Sequence, residues 1–156
     1  MIYYTIKCKN NNWPRRTKKI DKIIKKILKY KKDLAFENDI NYYCNFILAN
    51  DTFIKKLNRK FKKLNKPTDI LTFVYKNNFN NKIKEKHCDI VLSIETITKD
   101  AKKNKIEFYN HLTHLLIHGM LHINEYMHKK LKDFMIMKNK EINILNQLGI
   151  SSPYNL

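Results

Sequence analysis

Five of the six histidines in this 156-residue chain lie between positions 111 and 128. His118 and His122 are four residues apart, a spacing that places two side chains one turn apart on the same face of a helix. With His128 they form a candidate metal site, because three neutral imidazoles can bind a zinc ion and leave a fourth position for water. His128 can join the other two only if the helix ends after His122 and the chain turns back.

Other ligand sets are open on spacing alone. His111 and His114 continue the same helical face towards the N-terminus, and an unbroken helix would place Glu125 on that face beyond His122. His128 would then have rotated away. His114 or Glu125 is therefore the alternative third ligand beside His118 and His122.

The chain as a whole has the length of one domain, residues 1–156. Its three widely spaced cysteines suit a reducing compartment, and neither an apolar run long enough for a membrane nor a signal peptide is visible. We therefore expect a cytoplasmic protein. The net charge of +18 indicates a polyanionic partner such as nucleic acid, although a coding sequence rich in A and T would also favour lysine and asparagine.

Hydrophobic periodicity predicts the elements that position the histidines. We expect strands at 2–7, 40–48, 70–75 and 89–93, and a loop at 76–86. We expect five helices: one at 17–33, three that begin at Asn50 or Asp51, at about Glu95 and at about Glu107, and one at 132–148 before Gly149. The apolar side of the second helix is formed by Phe53, Leu57, Phe61 and Leu64. The predicted fold is a small α+β domain, with about four strands in a mixed sheet covered by helices.

Three blocks, in the same order, resemble one known family. His118-Gly119-Met120-Leu121-His122 with His128 is similar to the His-Gly-x-Leu-His-x5-His signature of the YbeY family. Residues 57–61 and 66–73, which include Lys66-Pro67-Thr68-Asp69, resemble its Leu-Asn and Lys-Pro-Thr-Asp block, and residues 89–95 its Asp-Ile-x-Ile-Ser strand. The tail at 144–150 also matches.

This resemblance implies a metal-dependent endoribonuclease of ribosomal RNA maturation. It selects His118, His122 and His128 as ligands of one Zn²⁺ per chain and places the Pro67-Thr68-Asp69 turn beside the metal. It also implies a substrate, the single-stranded 3′ region of small-subunit ribosomal RNA, and association with the small ribosomal subunit.

Three positions depart from the family pattern. Glu125 stands where the family usually has a glycine able to adopt positive φ, and we expect Asn124 to take over that turn. Met127 replaces an aspartate next to the third histidine. Lys62 replaces an arginine, which keeps the charge but loses the two-pronged grip on phosphate, and Arg59 lies one turn earlier to compensate.

The predicted mechanism is metal-assisted phosphodiester hydrolysis, with Lys62 and Arg59 neutralising charge on the transition state and Glu125 as a candidate general base. Phe73 and Tyr75 are candidates for stacking on RNA bases. Two other functions compete. A metzincin-like protease shares the histidine spacing but needs glutamate where this chain has Gly119. A non-catalytic ribosome-assembly factor would use the metal only to hold its fold.

Overall fold

The structure, a computed structural model, describes residues 1–79 and 82–154. Four strands and five helices follow one another in the chain as β1 (Ile2–Cys8), α1 (Thr17–Leu28), β2 (Asn41–Ala49), α2 (Asp51–Lys62), β3 (Ile70–Phe79), β4 (Lys82–Ser93), α3 (Ile94–Lys103), α4 (Phe108–Ile123) and α5 (Leu131–Gln147). No helix in the described ranges has both the length and the apolar character that a membrane crossing needs.

The sheet is mixed and has the order β1-β2-β4-β3. β1 and β4 each pair with β2 in parallel, and β3 pairs with β4 in the antiparallel sense and forms one edge. The predicted α+β domain with a four-stranded mixed sheet is therefore confirmed.

The main core lies between one face of the sheet and the helices α1, α3, α4 and α5. Alternate residues of β2 and β4 point into it, among them Tyr42, Phe46 and Ile90, as expected for strands buried on one face. α4 is buried on nearly every side, with ten of its sixteen residues buried. A helix packed this closely holds its polar side chains in fixed positions, which suits a binding site.

α2 packs on part of the opposite face of the sheet, and the rest of that face is open at the exposed Tyr3 and Tyr75. Ile54 packs there against Leu71 and Val91, and the buried Asn58 donates a hydrogen bond to the Lys66 carbonyl oxygen at 2.9 Å. Phe61 and Leu64 were predicted to lie on the apolar side of this helix, but they are 51% and 47% exposed. The buried contact with the sheet is made by Ile54, flanked by the partly buried Phe53 and Leu57.

Residues 76–86 were predicted to form a loop. This prediction is wrong for the residues that the structure describes, because β3 and β4 continue through them as paired strands. Tyr75 pairs with His87 and Lys76 with Lys86. Lys86 is buried, with its Nζ atom 5.7 Å from the centre of the Tyr42 ring. Ladder pairing and these contacts outweigh the low strand propensity of lysine and asparagine. Positions 80 and 81 lie outside the described residues.

The predicted helix at 17–33 is shorter than expected and ends at Leu28. Turns follow it, and Ala35 adopts a positive φ of 62°. The C-terminal helix, by contrast, ends as predicted: Gly149 has a φ of 76°, and the Ile150 N–H donates to the Leu145 carbonyl at 2.9 Å.

Candidate metal centre

His118 and His122 lie on consecutive turns of α4, on the part of its surface that faces α5 and the edge strand β3. Their Nε2 atoms are 2.9 Å apart. Gly119 makes the close approach of α4 to the sheet possible. A Cβ atom at this position would lie 3.0 Å from the Ile70 side chain and 3.3 Å from the Thr72 hydroxyl.

A tight turn after α4 brings His128 back to the other two histidines. The helix ends at Ile123, and the turn is made by Glu125, which adopts a positive φ of 71°. Asn124, which we expected to take this conformation, has a φ of −99° and instead donates a hydrogen bond from Nδ2 to the Leu34 carbonyl at 2.7 Å. Asn124 therefore anchors the turn to a distant loop, and the left-handed residue is the glutamate.

The three histidines converge as predicted. The ring centre of His128 lies 5.3 Å from that of His118 and 5.0 Å from that of His122. One ring nitrogen from each lies within 4.8 Å of one from each of the others. Three imidazole nitrogens this close together are a donor set that fits a zinc ion.

A buried carboxylate, which was not among the predicted site residues, fixes the orientation of His118. Glu141 on α5 is 1% exposed, and its Oε1 atom lies 2.6 Å from His118 Nδ1. An ionised carboxylate only accepts hydrogen bonds, so Nδ1 carries the proton and the Nε2 lone pair points towards His122 and His128. Carboxylates that hold a metal-binding histidine in this way are a common supporting feature of metal sites.

His114 and Tyr154 complete this carboxylate network. The other oxygen of Glu141 accepts from His114 Nε2 at 2.8 Å and from the Tyr154 hydroxyl at 2.6 Å. His114, one of the alternative ligands, is therefore engaged with Glu141 and is not part of the three-histidine cluster. The sequence carries one signal for Glu141: it is a charged residue in the apolar stripe of α5, between Met137 and Ile144.

The electrostatics of the cluster favour a neutral His122. Burial is the largest cause that lowers its pKa to about 4, and the neighbouring His118 and His128 contribute in the same direction. Burial alone would raise the pKa of Glu141, but the hydrogen bonds from His114 and His118 outweigh it and bring the value to about 2. At neutral pH the site thus combines an uncharged His122 with an ionised Glu141.

The cluster opens onto a cavity of about 370 Å³ between α4, the turn after it and the edge strand β3. Residues 68–72 and Val74 line the cavity from the β3 side, Lys62 lines it from the end of α2, and Met127 and Lys129 line it from the segment after α4. The predicted position of the Pro67-Thr68-Asp69 turn beside the histidines therefore holds for Thr68 and Asp69.

The other predicted site residues lie in different places. Lys62 lines the cavity, whereas Arg59 is exposed and is not among the residues that line it. Glu125, the candidate ligand and base, is not among the residues that line the cavity and pairs with Lys76, which lowers its pKa. Phe73 packs on Phe61, with ring centres 5.1 Å apart, while Tyr75 is exposed on the open face of the sheet.

The fold and the site define an α+β domain with a histidine triad at the edge of its sheet. Comparison with known proteins gives a family. The model of the family described as endoribonuclease YbeY matches residues 5–149. The chain is 37% identical over 124 residues to the endoribonuclease YbeY of Ehrlichia chaffeensis, covering 74% of this chain and 77% of the relative. With the endoribonuclease YbeY of Pelagibacter ubique it shares 37% identity over 131 residues, covering 83% and 84%.

This chain therefore belongs to the YbeY endoribonuclease family, whose members are named as RNA-hydrolysing enzymes. Its fold is also similar to the solution structure of TM1509 from Thermotoga maritima, with a TM-score of 0.57, 22% identity and complete coverage of both chains. The resemblance seen in the three sequence blocks is confirmed.

Proposed function

We propose that this protein is a zinc-dependent endoribonuclease that cleaves single-stranded RNA. The observation that carries the proposal is the cluster of His118, His122 and His128 in the lining of a cavity that Lys62 and Lys129 also line. A structural zinc site is usually closed by four protein ligands, whereas three ligands facing a cavity leave room for substrate. Membership of an endoribonuclease family supports the same conclusion.

The residues of the site fit one zinc ion per chain. Three imidazoles suit zinc, and Glu141 supplies the supporting carboxylate. When bound, zinc supplies Lewis acidity and lowers the pKa of coordinated water towards neutrality.

Cationic side chains of this chain hold the phosphodiester in place. Lys62 and Lys129 line the cavity together with the histidines and neutralise phosphate charge there. Arg59 is exposed on the same helix as Lys62, and we assign it to the RNA backbone outside the cavity. The +18 net charge predicts that RNA binding weakens steeply with salt.

Aromatic side chains on the open sheet face give the preference for unpaired RNA. Tyr3, Tyr43, His87 and Tyr75 are neighbours on the four strands in the order β1, β2, β4, β3. The rings of Tyr3 and Tyr43 are stacked with centres 5.2 Å apart, and those of Tyr43 and His87 with centres 4.9 Å apart. Exposed aromatic rings of this kind stack on unpaired bases.

The proposed biological substrate is the single-stranded 3′ region of small-subunit ribosomal RNA, processed on the small ribosomal subunit in the cytoplasm. The family membership and the positive charge support this assignment. A peptidase is a poorer explanation, because the carboxylate that its mechanism needs would have to replace Gly119, which is packed against Ile70 and Thr72.

The test is cleavage of an RNA with the 3′ end of small-subunit ribosomal RNA, single-stranded or annealed to a complement. We expect the wild type to cleave the single strand. His128→Ala should lose both this cleavage and the bound zinc, and the zinc content is measured by elemental analysis. Lys62→Ala should reduce cleavage while keeping the zinc. Lys56→Ala is the control for an α2 lysine outside the cavity.

The same experiment separates the enzyme from a non-catalytic assembly factor. If the metal only holds the fold, chelation should lower the melting temperature sharply and the zinc-loaded protein should bind RNA without cleaving it. If the site is catalytic, chelation should abolish cleavage and leave the chain folded. Zinc-loaded wild type that leaves the single-stranded RNA intact would refute the enzymatic proposal.

A further inference from the structure

His111 is a buried histidine without a hydrogen bond. It is 8% exposed, and neither Nδ1 nor Nε2 has a hydrogen-bond partner among the residues that the structure describes. Such a group is rare, since buried polar atoms are nearly always paired with protein, water or an ion. Burial, assisted by the neighbouring His114, lowers the pKa of His111, so its ring is a neutral nitrogen donor.

Two carboxylates face this ring from other parts of the fold. Asp69 precedes β3 and Asp100 lies on α3, while His111 is in the first turns of α4. One nitrogen of His111 and one oxygen of each aspartate lie within 4.8 Å of one another, yet no hydrogen bond joins the ring to either carboxylate. The Oδ1 atom of Asp69 accepts from the Ile70 N–H at 2.7 Å, and the other oxygen has no hydrogen bond in the described residues.

We propose that His111, Asp69 and Asp100 form a second cation site, which takes a divalent transition-metal ion such as Mn²⁺ or Zn²⁺. Ligand bonds to zinc are about 2.0–2.2 Å, so three ligand atoms spread evenly around one ion lie about 3.3–3.8 Å apart. Shifts of up to about 0.7 Å in each side-chain atom would therefore bring all three into bonding distance. Two carboxylates balance the charge of the ion, and one imidazole with two carboxylates suits Mn²⁺ or Zn²⁺.

This site is distinct from the histidine triad. His111 precedes His118 by seven residues, which is about 10 Å along a helix. Two ions that act together on one phosphate are about 3.5–4 Å apart, so the second ion does not take part in the chemistry at the triad. It joins α3 and α4 to the start of β3, and Asp69 also lines the cavity of the triad. The inference goes beyond the proposed RNA cleavage and does not depend on it.

The test counts ions in a chain that lacks the first site. After dialysis against Mn²⁺ and removal of free metal, we expect the His118→Ala/His122→Ala variant to retain about one ion per chain, measured by elemental analysis. Adding Asp100→Asn, which keeps the shape of the side chain, should remove that ion. Mn²⁺ should raise the melting temperature of the first variant and leave that of the second unchanged. His87→Ala is the control for an exposed histidine.

A second measurement uses the intact triad, in case its removal prevents folding. The wild type should bind about two ions, and Asp100→Asn alone about one. The proposal is overturned if the triad variant holds no ion and its melting temperature is unmoved by millimolar Mn²⁺, or if Asp100→Asn binds as many ions as the wild type. A wild type with one ion that persists in His118→Ala/His122→Ala would support the second site and refute the first.

Discussion

Replacing Glu141 by glutamine tests whether the buried carboxylate orients His118. The side chain is 1% exposed and accepts hydrogen bonds from His118 Nδ1, His114 Nε2 and the Tyr154 hydroxyl. Glutamine has nearly the same shape but carries no charge, and its NH₂ group donates where the carboxylate accepts. The variant therefore removes the preference for the His118 tautomer with the proton on Nδ1.

Two magnitudes follow from the structure. The pKa of Glu141 falls from 4.5 to about 2, and a shift of this size corresponds to about 3 kcal/mol of folding free energy at neutral pH. Loss of a supporting carboxylate typically weakens metal binding about 10–100-fold, or about 1.4–2.8 kcal/mol. We expect Glu141→Gln to show both effects, in the metal-free stability and in the zinc affinity.

The assays are urea denaturation in a chelator at pH 7 and zinc titration against a competing chromophoric chelator. Asp133→Asn, a carboxylate on the same helix outside this network, is the matched control. Tyr154→Phe removes one of the three hydrogen bonds and should have a smaller effect. Wild-type zinc affinity in a destabilised Glu141→Gln protein would refute the orienting role and leave Glu141 as a residue that only stabilises the fold.

Three further predictions concern the turn, the helix contact and acid. Glu125→Gly should raise the free energy of unfolding by about 0.5–1 kcal/mol, because glycine adopts the positive φ at little cost and the ion pair with Lys76 that is lost is exposed. Glu125→Ala should give no such gain in the same urea titration. Gly119→Leu should cost about 2–3 kcal/mol by forcing α4 away from Ile70, and a near-neutral result would contradict the packing. For His122, the folded pKa of about 4 lies below the ordinary 6.5, so the unfolded chain binds more protons between these values. Metal-free stability should therefore fall as the pH drops from 6.5 to 4, by about 2 kcal/mol after allowance for solvent screening, and His122→Gln should flatten that part of the profile.

Local patterns in the sequence were enough to predict the sheet, the helices and the meeting of the three histidines. The spacing of His118 and His122 and the family motif through His128 are short-range features, and the structure brings these residues together. The strand at 40–48 alternates buried residues with more exposed ones, so its periodicity was visible, whereas residues 90–93 are all buried and read as a short apolar run.

The features that escaped prediction depend on contacts between distant parts of the chain. Glu141 reaches His118 from another helix, and its role depends on how α4 and α5 pack. Asn124 was expected to make the turn, but its side chain is held by the Leu34 carbonyl, 90 residues away, and the positive φ falls on Glu125. The buried Lys86 likewise belongs to a strand because both β2 and β3 pair with it.

The three histidines and Glu141 all come from one continuous stretch of 24 residues, 118–141, whereas the opposite wall of the cavity comes from residues 62–74. Closing a loop costs conformational entropy that grows slowly with its length, so the histidine side of the site closes at a smaller entropic cost than the complete cavity. Contacts between neighbours in sequence also form sooner, on average, than contacts between distant segments. The contacts that form the three-histidine side of this centre are therefore close in sequence, whereas the cavity is completed by contacts between distant segments.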